Sequence, residues 1–95
     1  MILSFKDKET EKIFSGLVSK KLPNNIQLKA RLKLKLINLA KSVTDLSIPP
    51  GNRLEALKGK RIGEWSIRIN IQWRITFTPI NGGTDYDNVA IEDYH

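Results

Sequence analysis

At 95 residues, 40% of them hydrophobic and 27% charged, the chain has the length for one domain over residues 1–95 with a single modest core, and too little for two. It has no cysteine, which excludes disulfides, thiolate metal sites and cysteine nucleophiles, and its one histidine cannot build an ordinary zinc site. The net charge of +6 is unevenly placed: residues 1–62 hold fourteen Lys or Arg against five Asp or Glu, and residues 63–95 hold two against five, an asymmetry that suits a polyanionic partner, foremost a nucleic acid.

In chain order, Ile2, Leu3 and Phe5 predict a short strand over residues 1–6. The start has no basic n-region and too short an apolar run for a signal peptide, and no stretch is long enough to span a bilayer. Both features predict a cytoplasmic protein with no membrane partner. Asp7 is a fair N-cap, and Glu9 and Glu11 favour the positive end of a helix that follows it. Ile13, Phe14, Leu17 and Val18 share one face of that helix, Lys20 and Lys21 suit its end, and Pro23 separates it from the next. A second helix is predicted from about Asn24 to Val43, with Leu28, Leu32, Leu36, Leu39, Ala40 and Val43 as its apolar stripe. Lys29, Arg31, Lys33 and Lys35 occupy the remainder, as an RNA-facing surface or a solvated face.

Residues 44–53 are expected to form a loop, since Pro49 and Pro50 cannot continue a helix. Beyond it the period changes. Trp65, Ile67 and Ile69 alternate with polar neighbours, as do Ile75 and Phe77, and the short connection at residues 70–72 predicts an antiparallel hairpin. Asn81-Gly82-Gly83 is a turn, and Val89, Ala90 and Ile91 begin a last strand. The predicted order is β-α-α-β-β-β, an α+β fold in which a helical hairpin covers one face of a small antiparallel sheet. The other face stays open, and Arg68 and Arg74 have the parity to point there.

No phosphate-loop, dinucleotide or His-Glu-x-x-His motif is present, so any chemistry is expected to be metal-free and without a cofactor. Two clusters remain. Arg53, Lys58, Lys60 and Arg61 precede the hairpin, with Arg68 and Arg74 on it. Fixed cations of this kind stabilise the charge that develops on a phosphodiester during cleavage, though a generic basic turn has the same composition. Glu92-Asp93-Tyr94-His95 offers carboxylate, phenol and imidazole in succession. In RNA a base must take the 2′-hydroxyl proton and an acid must protonate the departing 5′-oxygen, transfers that Asp and His commonly perform. Strand alternation puts Asp93 and His95 on one side and Tyr94 on the other, and a mobile polar tail is the alternative.

Leu54-Glu55-Ala56-Leu57-Lys58-Gly59, Arg61, Gly63, Trp65 to Asn70, Gln72 to Ile75 and the ending Asp93-Tyr94-His95 resemble the HigB branch of the RelE/ParE toxin superfamily. Ile2 to Lys6 and Pro49 to Arg53 match as well. The resemblance implies two helices on a small antiparallel sheet and a toxin–antitoxin endoribonuclease that cleaves translated mRNA in the ribosomal A site. It also implies a helix-turn-helix antitoxin, HigA-like, through which alone the complex would contact operator DNA. Carried over by position, Asp93, Tyr94 and His95 match active-site residues, Arg74 a cation lining the cleft, and Lys58 a basic position nearby. Glu55 departs from the pattern, because some members carry a histidine there. Either Glu55 replaces it as base, or Asp93 and His95 suffice, or Glu55 merely pairs with Lys58. Arg53, Lys60, Arg61 and Arg68 complete the expected RNA-binding set. A ParE-like inhibitor of DNA gyrase, without catalysis, is the competing reading, and it has no need of Asp93-Tyr94-His95.

Overall fold

The computed structural model describes residues 1–94, so the terminal His95 lies outside the described residues. Helix α1 (Lys8–Phe14) begins as expected, with the Asp7 carboxylate accepting from the Thr10 amide at 2.7 Å. It ends earlier than its apolar spacing predicts. Gly16 adopts φ +87°, the Gly16 amide donates to the Ile13 carbonyl at 3.1 Å, and the Leu17 amide donates to Lys12 at 2.9 Å. That pair of bonds is a Schellman closure, which glycine permits because it has no Cβ to clash in the left-handed region. Leu17 and Val18 are therefore exposed rather than part of a buried helical face.

Helix α2 (Asn24–Leu39) starts where predicted and stops four residues before Val43, which instead opens a 3₁₀ turn, Val43–Ser47. Its orientation corrects the expected stripe. Ile26, Ala30, Leu34 and Ile37 are buried, whereas Leu28, Leu32, Leu36 and Leu39 are 70%, 55%, 40% and 71% exposed. Both sets recur at i, i+4, i+8 and i+11, offset by two residues, and at roughly 100° per residue they occupy opposite sides of the helix. Their neighbours decide which is buried. The Gln27 amide donates to the Ser19 and Leu22 carbonyls at 2.8 and 2.9 Å, and Asn38 accepts from the Ile2 amide at 2.9 Å. These neutral groups can be satisfied at a buried edge. The leucine stripe is edged by Lys29 and Lys35, whose charges would lose hydration there.

The sheet has order β1-β2-β3-β4, all antiparallel: β1 (Glu55–Ala56), β2 (Trp65–Arg68), β3 (Trp73–Ile80) and β4 (Asp85–Asp93). The segment expected as a first strand makes only two isolated bridges, Ile2 to Tyr86 and Phe5 to Val89, and runs parallel to β4. The two-residue β1 was not expected. The turn between β2 and β3 is built by Asn70, whose side-chain oxygen accepts from the Gln72 and Trp73 amides at 2.9 and 2.7 Å. A bulge falls opposite Phe77, where β4 carries one extra residue and Asn88 has φ +52°. It brings Tyr86 and Val89 to the same buried face. There Tyr86 meets Phe77 edge-on at 5.5 Å and donates its hydroxyl to the Gly83 carbonyl at 2.7 Å. The helices pack on this face. The opposite face presents Glu55, Ser66, Arg68, Arg74, Thr76, Glu92 and Tyr94. Among the described residues no helix is long and apolar enough to cross a membrane.

Candidate active site

On the uncovered face, strand pairing sets the positions. Arg68 and Arg74 are register partners on β2 and β3, and Glu55 of β1 pairs with Ser66. Two like charges directly opposite each other cost stability unless a counter-charge lies between them. Arg53, held at φ +48° after the 3₁₀ turn Pro50–Asn52, brings a third guanidinium to the same pocket of about 150 Å³. Glu55 is the one carboxylate among that pocket's described lining residues.

Arg74 is the hub. One guanidinium nitrogen donates to Ser66 Oγ at 3.2 Å and lies 3.5 Å from the Glu55 carboxylate. Its carbon sits 3.3 Å from the centre of the Tyr94 ring, a stacked cation–π contact. The Arg74 side chain is only 14% exposed and that of Glu55 is 58% exposed, so the carboxylate remains open to an incoming hydroxyl. The alternative pairing of Glu55 with Lys58 is replaced by this contact across the sheet.

A second, adjoining depression is lined by Glu55, Lys58, Arg74, Glu92, Asp93 and Tyr94, among others. Arg61 stands at its edge but faces inward. From the 3₁₀ turn Gly59–Arg61, its guanidinium reaches both Glu92 oxygens at 2.9 and 2.7 Å and both Glu64 oxygens at 3.1 and 2.8 Å. The Thr76 hydroxyl also donates to Glu92. These bonds, the Arg61 fork first, hold the Glu92 carboxyl below the usual carboxylate range. The Arg61 fork likewise lowers Glu64, and the two carboxylates, Glu92 first, raise Arg61 above its ordinary value. This clamp secures β4 immediately before Asp93 and Tyr94.

Asp93 accepts from the Gln72 side-chain amide at 3.2 Å, and the Tyr94 amide donates to the Gln72 carbonyl at 2.6 Å. Asp93 pairs in register with Trp73 and so has the opposite parity to Tyr94, at the margin of the depression. Lys58 lines the depression and Lys60 is exposed on the turn beside it. The expected role of His95 lies outside the described residues. The structure thus brings Arg53, Arg68, Arg74, Glu55 and Tyr94 around one pocket, with Lys58 and Asp93 adjoining. Ser66, Asn70 and Trp73 also line the pocket and were not expected there. The parity of Ser66 with Arg68 was the available signal for the first, while Trp73 was hidden by its apolar character. Among the described residues no group of three or more His, Cys, Asp or Glu side chains converges as a metal site would require.

The arrangement offers a cationic socket for a phosphate, a stacking ring and a solvent-facing carboxylate beside the phosphate position. Comparison with known proteins gives the family and the fold. The family described as RelE-like toxin of type II toxin–antitoxin system HigB matches residues 3–95. The chain is 40% identical over 83 residues to Toxin HigB-1 of Vibrio cholerae, covering 86% of this chain and 87% of that one. It is 37% identical over 95 residues to Endoribonuclease HigB of Proteus vulgaris, covering the whole of both. In fold it is similar to the YoeB/ParE toxin from Agrobacterium tumefaciens, with a TM-score of 0.59, 14% identity and coverage of 99% and 98%. A chain of the YoeB-YefM complex from Staphylococcus aureus gives a TM-score of 0.58 at 17% identity, covering 100% and 98%.

Proposed function

The chain belongs to the HigB family of RelE-like toxins of type II toxin–antitoxin systems, and from that premise we propose that it is an endoribonuclease that cleaves translated mRNA at its open sheet face, by acid–base chemistry without a metal. The observation that carries this reading is the set of three guanidiniums, Arg53, Arg68 and Arg74, around one pocket with a solvent-facing carboxylate beside them. The opposed pair Arg68 and Arg74 lowers its mutual repulsion when a phosphate sits between them.

In this mechanism Arg74 meets the scissile phosphate and stabilises the charge that grows on its oxygens. Ser66 and the Tyr94 ring hold Arg74 in place, and the exposed face of Tyr94 stacks on a base. Glu55 removes the 2′-hydroxyl proton, the oxygen attacks the adjacent phosphorus, and the bond to the 5′-oxygen breaks. His95, as an imidazolium, protonates the leaving oxygen, and Asp93 supports that charge. The products are a 2′,3′-cyclic phosphate and a 5′-hydroxyl end. Arg68 shares the scissile phosphate with Arg74, and Lys58, Lys60 and Arg53 hold the flanking backbone. The proposed setting is the cytoplasm, on the ribosome, under the control of a HigA-like antitoxin that also carries the complex to its operator.

The test is to express the toxin briefly and map new 5′ ends on translated and untranslated copies of one mRNA. Codon-phased cuts in the translated copy alone, lost in Arg74→Ala and slowed at least tenfold in Glu55→Gln, are the expected result. Altered DNA supercoiling without cuts would overturn it in favour of gyrase inhibition, and equal cutting of both copies would remove the ribosome from the mechanism.

A further inference from the structure

The outer side of α2 has no counterpart within the described fold. Leu32, Leu36 and Leu39 form, with Pro49 from the neighbouring loop, the floor of a shallow groove of about 450 Å³, and Leu28 extends the stripe by one turn. Four leucines in line on one exposed helical face are a patch that soluble surfaces seldom keep without a partner. The rim is charged. Lys29 and Lys33 stand along one side and Lys35 along the other, and α2 has no acidic residue anywhere in its sixteen positions. Among the described residues the groove shares no lining residue with the two pockets of the open sheet face.

We infer that this groove is the docking site for an amphipathic helical segment of the antitoxin, one whose leucine-like residues recur at i, i+4 and i+7 between flanking Asp or Glu side chains. The inference rests on the reading that a protein antitoxin holds this chain. Apolar side chains at that spacing fill a groove floored by residues at the same spacing, which is the helix-in-groove mode of recognition. Carboxylates on either side of the segment meet the exposed Lys29 on one rim and Lys35 on the other, while the Lys33 ammonium beside Lys29 donates to Asn52. The same charges argue against a second copy of this chain, since two α2 helices would bring lysine against lysine. They argue against RNA as well, because a nucleic-acid backbone would leave four leucines in water. The concave floor between α2 and Pro49 fits a ridge of side chains better than the flat surface of a bilayer. Docking here leaves the open sheet face uncovered, so the segment anchors the complex without itself filling the catalytic pocket.

The experiment uses the full toxin and, as probe, the purified antitoxin encoded beside it, titrated by calorimetry. Leu32→Asp/Leu36→Asp is expected to weaken binding roughly 100-fold or more, since two buried anchors are lost. Because both side chains are exposed in the free toxin, its thermal midpoint and its mRNA cleavage should stay near wild type. Lys29→Glu/Lys35→Glu keeps the leucines and is expected to weaken binding about tenfold, with a smaller dependence on salt. Wild-type affinity in both variants overturns the groove while the antitoxin reading stands. Failure of the wild-type toxin to bind the antitoxin overturns that reading and the groove with it. A toxin dimer in sedimentation that the leucine variant breaks, with antitoxin affinity unchanged, assigns the groove to a second copy and overturns the inference. Flotation with phosphatidylglycerol vesicles that the leucine variant abolishes, again with antitoxin affinity unchanged, overturns it in favour of a membrane surface.

Discussion

Replacing Glu92 by Gln tests whether the Arg61 clamp supports the end of β4. The carboxylate accepts from two Arg61 nitrogens at 2.9 and 2.7 Å and from Thr76, and its side chain is 27% exposed against 38% for Arg61. A hydrogen bond to a charged group contributes a net of about 1.5–3 kcal/mol. Partial exposure places this pair at the low end, and Glu64 keeps part of the guanidinium engaged after the change. Glu92→Gln should therefore cost about 1.5 kcal/mol at pH 7, a fall in Tm of roughly 6–12 °C for a domain of this size. The pH dependence has a definite sign. The folded carboxyl is held below its ordinary value, so its contribution is present above the unfolded pKa of about 4.3 and is lost as pH falls through the lower, folded value. Differential scanning calorimetry of both proteins from pH 7 to pH 3 should show a Tm gap that is full at neutral pH and closes below about pH 4. A gap of the same size at pH 3 as at pH 7, or none at pH 7, refutes the reasoning.

Arg74→Ala should slow single-turnover cleavage on the ribosome by about 10²–10³, as loss of one preorganised donor does, and Arg74→Lys should recover part of the rate without the planar fork. A normal rate with weakened ribosome binding would move Arg74 from chemistry to docking. Tyr86→Phe leaves the Gly83 carbonyl without its buried donor and should lower stability by about 1–2 kcal/mol in urea titration, and an unchanged midpoint would mean that water replaces the hydroxyl. Gly16→Ala should cost about 1–2 kcal/mol, because an L residue at φ +87° is strained and its Cβ would meet the Arg31 guanidinium at 3.1 Å. Equal thermal midpoints would show that the Schellman turn rearranges without penalty.

What the sequence determined by itself is what depends on neighbours in the chain. The Asp7 cap, the Asn70 turn and the alternation of Trp65, Ile67, Ile75 and Phe77 follow from local hydrogen bonding and a two-residue period, and all three are present in the fold. The same alternation sends Arg68 and Arg74 to one face before any tertiary contact is known. The motif around residues 54–75 was enough to indicate the toxin family. Local pattern could not choose between the two stripes of α2, because Ile26-Ala30-Leu34-Ile37 and Leu28-Leu32-Leu36-Leu39 have identical spacing. The buried stripe is edged by amides that the fold satisfies and by Lys33, whose ammonium donates to the buried Asn52 side chain, whereas Lys29 and Lys35 beside the leucine stripe stay in water. Nor could it stop α1 at Phe14, since Leu17 and Val18 continue the helical period until Gly16 turns the chain. Glu55 and Arg74 are 19 residues apart and Arg61 and Glu92 are 31 apart, and each pair met only through strand register and a turn folded against β4. The pocket belongs to the tertiary structure for that reason: ion pairs between distant residues leave no period in the chain, and only the packed sheet brings their charges within reach.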